Sequence, residues 1–107
     1  MESDLIQIRN IGPASARSLI AAGVPDAAAL YAMGADNAYR ALLLAGEKPH
    51  FISYYVLHMA VQGRPWNDCK GDEKVAMRAK FDALVADLRP QMGLEAELDR
   101  LGLRKPA

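Results

Sequence analysis

The sequence predicts an all-α fold, on three observations. Nineteen of the 107 residues are alanine, none is threonine, and valine and isoleucine number five each. That mix favours helix and leaves a sheet without the branched side chains it packs with. Glycines at 12, 23, 34 and 46 fall about eleven residues apart, each after a short apolar run, as when a series of short helices is punctuated. Hydrophobic residues make up 51% of the chain against 24% charged, enough for a core and too little charge for intrinsic disorder.

In chain order, Ser3 caps a first helix that carries Leu5, Ile6 and Ile8 and ends near Asn10. Pro13 starts a second, over 13–22, because a proline at the first helical position loses only an amide that had no partner. Leu19 and Ile20 are its core side. Asp26 caps a third helix ending at Met33, and Gly34 opens a fourth that lasts to Gly46 with Tyr39, Leu42 and Leu43 inward. Pro49 leads into a helix over 50–62 whose Phe51, Tyr54, Tyr55, Leu57, Met59 and Val61 leave little polar face, which predicts the central element. Gly63-Arg64-Pro65 stops it, Trp66-Asn67-Asp68 turns, and Trp66 is expected to fold back and plug the core. Asp72 then caps a helix with Val75, Phe81, Leu84, Val85 and Leu88 at helical spacing, ended by Pro90. Leu94, Leu98 and Leu101 make a short last helix, and Gly102 opens a solvated tail. The whole is a compact bundle of short helices in a single domain, 1–107, with 90–107 as an added helix and tail.

Thirteen basic and 13 acidic side chains give a formal charge of zero. No apolar run approaches the roughly 20 residues that cross a bilayer. Met1-Glu2-Ser3-Asp4 is acidic where a secretory leader is basic and then apolar, so a cytoplasmic location away from membranes is expected. Cys69 stands alone, which excludes an internal disulfide framework and predicts a buried thiol in a turn. His50 and His58, eight apart on one helix, sit about 12 Å from each other, too far to share a metal ion. There is no paired-carboxylate pattern, no triad and no phosphate-cradling glycine loop. No enzyme, cofactor or metal site is therefore expected. The basic residues from Arg64 to Lys80 are interleaved with Asp68, Asp72 and Glu73, as on a solvated face. The terminal leucine stripe covers either its own domain or a second copy, which leaves a homodimer open.

A shift of 22 residues superimposes Ile8 on Leu30, Ile11 on Met33, Gly12 on Gly34, Ala16 on Ala38 and Ile20 on Leu42, the pattern of an internal duplication. The first copy, residues 8–16, resembles a helix-hairpin-helix element in a SAM-like half. Gly12 fills the second glycine position, Ala16 the small contact position, and Ile11 the hydrophobe that pins the hairpin. Asn10 stands where the first glycine belongs, and asparagine tolerates positive φ. In such families the hairpin and the following helix start offer backbone amides to a phosphate of duplex DNA, reading no bases. The resemblance thus implies a contact set of Arg9, Asn10, Gly12, Ala14, Ser15 and Arg17. Pro13 deletes one donor, and residues 1–46 hold only Arg9, Arg17 and Arg40 against Glu2, Asp4, Asp26 and Asp36. Three phosphate contacts would give a salt slope of only about three. The same hairpin also serves as a packing device. In the second copy Ala32 takes the first glycine position and Asp36 lies in the turn, so that copy is expected to be structural.

Over about 5–85 the chain resembles the C-terminal domain of TfoX (Sxy), the bacterial regulator of DNA-uptake competence. The resemblance rests on residues 8–13 with Ser15-Ala16, Ala22-Gly23-Val24, Leu30, Met33-Gly34-Ala35, Ala38-Tyr39-Arg40 and Leu42, and on Gly63-Arg64-Pro65-Trp66-Asn67-Asp68. Pro65 and Cys69 depart from the family pattern, which often has a polar residue and leucine there. The resemblance implies a helical, non-catalytic module in transcriptional control of competence. Its partner would be duplex DNA, held weakly, or a protein of the transcription machinery. Full-length members carry another domain ahead of this one, so the chain is expected to be a stand-alone relative or a fragment.

Overall fold

The computed structural model describes residues 4–92, and they are helical with no strand among them. The first element is a single 3-10 turn, Asp4–Gln7, that buries Leu5. It is shorter than the helix expected up to Asn10, because Asn10 adopts φ 74° and turns the chain out of helical geometry. Helix α1, Pro13–Ala21, follows with Pro13 in its first turn. Ala16 and Leu19 are its buried positions, while Ile20, expected inside, is 45% exposed. A nine-residue helix packed along one narrow stripe has room for Ala16 and Leu19 at i, i+3, and the next residue swings out.

Helix α2, Ala27–Leu44, takes in both the third and fourth expected helices. The boundary at Gly34 survives as a kink with φ 82° and ψ 165°, and no loop intervenes. Two carboxylates cap the start of α2. Asp26 accepts from the Ala29 amide at 2.8 Å, as the sequence predicts, and Asp4 reaches across to accept from the Ala27 amide at 2.8 Å. Helices α1, α2 and α3, the last spanning Phe51–Val61, end alike. Just beyond each, the amides of Gly23 and Val24, of Gly46 and Glu47, and of Gly63 and Arg64 reach back to carbonyls of the last turn. This crossed pair satisfies carbonyls that a helix end leaves without partners.

A second 3-10 turn, Trp66–Asp68, leads into α4, Gly71–Met92. Asp72 lies in the first turn of α4, two residues past the cap position, which Lys70 holds, and Pro90 is taken into the last turn instead of ending the helix before it. The buried stripe of α4 is Met77, Phe81, Leu84, Val85 and Leu88. Val75 is 70% exposed, against expectation, since it sits two residues and so about 200° of helical rotation before Met77. The core lies where α2, α3 and α4 meet. Its centre is aromatic: Tyr54, fully buried, has its ring 5.2 Å from that of Tyr39 and 5.6 Å from that of Phe81. These edge-on and tilted contacts are the arrangements aromatic quadrupoles favour. The central role expected of α3 is met by Tyr54, Met59 and Ala60, all fully buried. The helix expected around Leu94, Leu98 and Leu101 and the tail lie outside the described residues. No helix among the described residues is long and apolar enough to cross a membrane.

Candidate functional site

The bend between the first turn and α1 is built by two residues. Asn10 turns the chain at positive φ, and Pro13 holds Gly12 extended at φ −94°, ψ −179°, because the residue before a proline is pushed out of helical space. The first intrahelical bond of α1 runs from the Ala16 amide to the Gly12 carbonyl at 2.9 Å. The amides of Gly12, Ala14 and Ser15 therefore precede the helical ladder and have no partner among the described residues. All three residues are exposed, as are Arg9 and Arg17, and neither arginine forms an ion pair among the described residues. Gly12, Ala14 and Ser15 thus stand at the start of α1, where free donors and the helix dipole both favour an anion, with Arg9 three residues before Gly12 and Arg17 two residues after Ser15.

Asn10 plays a different part from the contact role expected of it. Its side-chain amide is occupied at both atoms: Nδ2 donates to the Arg64 carbonyl at 2.9 Å, and Oδ1 accepts from the Trp66 amide at 3.1 Å. The bend is thereby tied to a loop more than fifty positions away in sequence. Arg64 holds that loop from the other side. Its guanidinium donates to both oxygens of Glu73 at 2.7 Å, to Asp68 Oδ2 at 2.7 Å and to Gln62 Oε1 at 2.8 Å. The Arg64 hydrogen bond is the chief cause holding the Glu73 carboxyl below its usual range. Between the two clamps Trp66 does not plug the core; it is 51% exposed. Sequence reasoning folded Trp66 inward on the tight Gly63-Arg64-Pro65 turn before it, and the signal that it missed was the match of Asn10 to two main-chain groups, which no local pattern reveals.

Beside the bend, a half-open groove of about 350 Å³ runs between α1 and α3. Ile11, Leu19, Leu42, Val56 and Leu57 line it together with exposed Ile52, and Asn10, Ala14, Ser15, Glu47 and Lys48 also border it. The corresponding end of the second copy carries a different arrangement. Asp36, in the first turn after the kink, accepts at one oxygen from the Tyr54 hydroxyl at 2.7 Å and lies 2.8 Å from His58 Nε2. Burial works to raise the Asp36 carboxyl, but the bonds from Tyr54 and His58, with the charges of His58 and Lys80, outweigh it and hold it below its ordinary value. The structural role expected of the second copy is the one its atoms perform.

The remaining candidates are accounted for locally. His50 gives its backbone amide to the Tyr39 hydroxyl at 2.9 Å. Cys69 is buried in its turn, as expected, and burial followed by the charge of Glu73 pushes its thiol up, away from thiolate reactivity.

With the bend, the groove and the Trp66 loop in place, the comparison with known families is direct. A family model described as the TfoX C-terminal domain matches residues 1–81. The chain belongs to that family. The match takes in the bend, the groove and the Trp66 loop and ends inside α4. TfoX C-terminal domains are a regulatory family and not a family of enzymes. Neither the curated proteins nor the solved structures contain a significant match to this chain.

Proposed function

We propose that this TfoX C-terminal domain is a non-enzymatic cytoplasmic module of competence control or a related transcriptional programme, and that it contacts the backbone of duplex DNA weakly and without reading bases. The observation that supports this is the set of amides at the exposed residues Gly12, Ala14 and Ser15, which have no partner among the described residues, with Arg9 and Arg17 nearby in sequence and in no ion pair among those residues. The amides fix where a phosphate sits, and the arginines add short-range charge. Asn10 shapes this end and does not contact the ligand. With a net charge of zero the domain has no long-range electrostatic funnel, so association is slow to build and easily screened.

A second reading draws on the groove between α1 and α3. Its apolar lining, with Ile52 exposed at the rim, fits a protein-interaction adaptor that never touches nucleic acid. An amide NMR titration with a short blunt duplex at low salt separates the two. Shifts centred on residues 10–17 that vanish on adding salt, and that Arg17→Glu abolishes, support phosphate contact. If those amides stay still at millimolar duplex, the nucleic-acid reading is wrong and the groove becomes the working surface.

A further inference from the structure

We propose that a second copy of this chain fills the groove between α1 and α3 with its residues 94–101, and that the exchange is reciprocal, so that two copies form a symmetric dimer. The inference rests on the groove reading above and names what enters. Groove and segment match in shape. The groove has an apolar wall, with Ile52 half exposed at its rim, and a helix is held in such a groove by anchors at i, i+4 and i+7. Leu94, Leu98 and Leu101 stand at that spacing. The two match in charge as well. Ala14 and Ser15, whose amides have no partner among the described residues, border the groove with Lys48, and Glu47 is the single carboxylate among its described residues. Residues 94–101 carry Glu95, Glu97 and Asp99 against Arg100 alone, and carboxylates are favoured at a helix start.

The direction of α4 decides which copy's groove the segment enters. Lys74 Nζ lies 5.2 Å from the centre of the Tyr55 ring and Arg78 Cζ 5.2 Å from that of Phe51, so α4 runs antiparallel to α3. The Phe81 ring is 5.5 Å from that of Phe51, the first residue of α3. The residues from Phe81 to Met92 then carry α4 about 16 Å further along its axis, past the end of α3 where Ile52 borders the groove. An eight-residue helix turned back at Gly93 spans only about 12 Å, so its central leucine, Leu98, falls short of its own groove. A reciprocal exchange needs no such return, because each α4 delivers its segment outward to the other copy. Fourteen residues line the groove, and with the segment each copy brings about twenty residues to the contact, the size of a standard interface. Because Ala14 and Ser15 border the groove, the dimer and a duplex backbone compete for the same end of α1.

The full chain is sedimented over a range of concentrations up to millimolar with no nucleic acid present, so the outcome is independent of the duplex reading, and NMR signals are followed over the same range. The expected result is a concentration-dependent doubling of mass, with the signals of Ile52, Val56, Ala14 and Ser15 moving in step. Leu98→Ser weakens the dimer about a hundredfold, because symmetry removes two buried leucines at once, each worth about tenfold. Ile52→Ser, at a position 51% exposed and outside the core, weakens it as well. A chain that stays monomeric at millimolar concentration overturns the exchange and leaves the groove open to another protein. If Leu98→Ser moves the Ile52 and Val56 signals in that monomer, the segment lies in its own groove, and the exchange is equally wrong. A dimer that tolerates both substitutions uses another surface, which also overturns the proposal. If Leu98→Ser breaks the dimer and Ile52→Ser leaves it intact, the segment docks elsewhere, and the groove reading falls with the exchange.

Discussion

Residues 8–20 and 30–42 share a spacing of apolar, glycine and small positions, yet one stretch breaks the chain and the other only bends it. The shared glycine does not decide this. Asn10 takes positive φ where its counterpart Ala32 stays helical, and Pro13 forces Gly12 into extended geometry where the counterpart Ala35 lets Gly34 lead straight back into helix. The functional consequence follows at the next turn. The first copy leaves the Ala14 and Ser15 amides facing solvent, whereas the second places Asp36 there and fastens it to Tyr54 and His58 of α3. One shared spacing thus yields an open helix start in the first stretch and a joint closed against α3 in the second.

The largest break in this comparison comes from opening the closed joint. Asp36→Ala removes the acceptor of the fully buried Tyr54 hydroxyl and the partner of His58. Leaving such donors unpaired costs about 3 kcal/mol, read as a lowered urea midpoint at unchanged slope. The same carboxylate makes stability depend on pH. Its folded value lies below its ordinary one near 3.8, so its contribution is fully present above that pH and is lost as pH falls through the lower, folded value. The stability gap between the wild type and Asp36→Asn is therefore expected to be widest near neutrality and to close below about pH 4. A gap that stays constant on acidification would show that the carboxylate charge is not what holds the joint.

Gly34→Ala tests the kink directly. At φ 82° and ψ 165° the backbone occupies a region open almost only to glycine, although an added Cβ meets nothing within 4 Å. The cost is therefore conformational, about 2 kcal/mol, unless α2 straightens, which would part Asp36 from Tyr54 and appear as lost near-UV dichroism. Asn10 gives a smaller and divisible effect. Asn10→Gly keeps the turn but loses both bonds to the Trp66 loop, about 1 kcal/mol. Asn10→Ala adds strain at positive φ for about 1 kcal/mol more. Equal urea midpoints for the two variants would mean that the turn relaxes.

Much of this was legible in the sequence because it is local. The alanine-rich composition, the glycine stops at 23, 46 and 63, the Asp26 cap and the buried α3 all follow from short-range rules. The positive φ of Asn10 was also readable, from its place in the hairpin pattern. What escaped was long-range pairing: Asp4 capping α2, Asn10 gripping residues 64 and 66, and Asp36 meeting α3. Each is a polar side chain whose partner is fixed only once helices pack, and no periodicity encodes it. Ile20, Val75 and Trp66 failed for the converse reason. Apolar character predicts burial on average, but a narrow helix stripe or a clamped loop overrides it at a particular residue.

The smallest expected effect is the most discriminating for the comparison. Gly12 aligns with Gly34, and if the two glycines served the same backbone need, both would resist alanine. Gly12 instead sits at φ −94°, ψ −179°, a conformation that alanine before a proline adopts readily, and a Cβ there meets nothing within 4 Å. Alanine is a poorer helix cap than glycine, but it also restricts the unfolded chain, and these opposing terms nearly cancel. Gly12→Ala is expected to change stability by less than about 0.5 kcal/mol. Because the substitution keeps the main-chain amide of residue 12, any nucleic-acid response at Ala14 and Ser15 should survive it as well. A stable variant that has lost that response would mean that the missing Cβ at Gly12, and not only its amide, makes room for the phosphate.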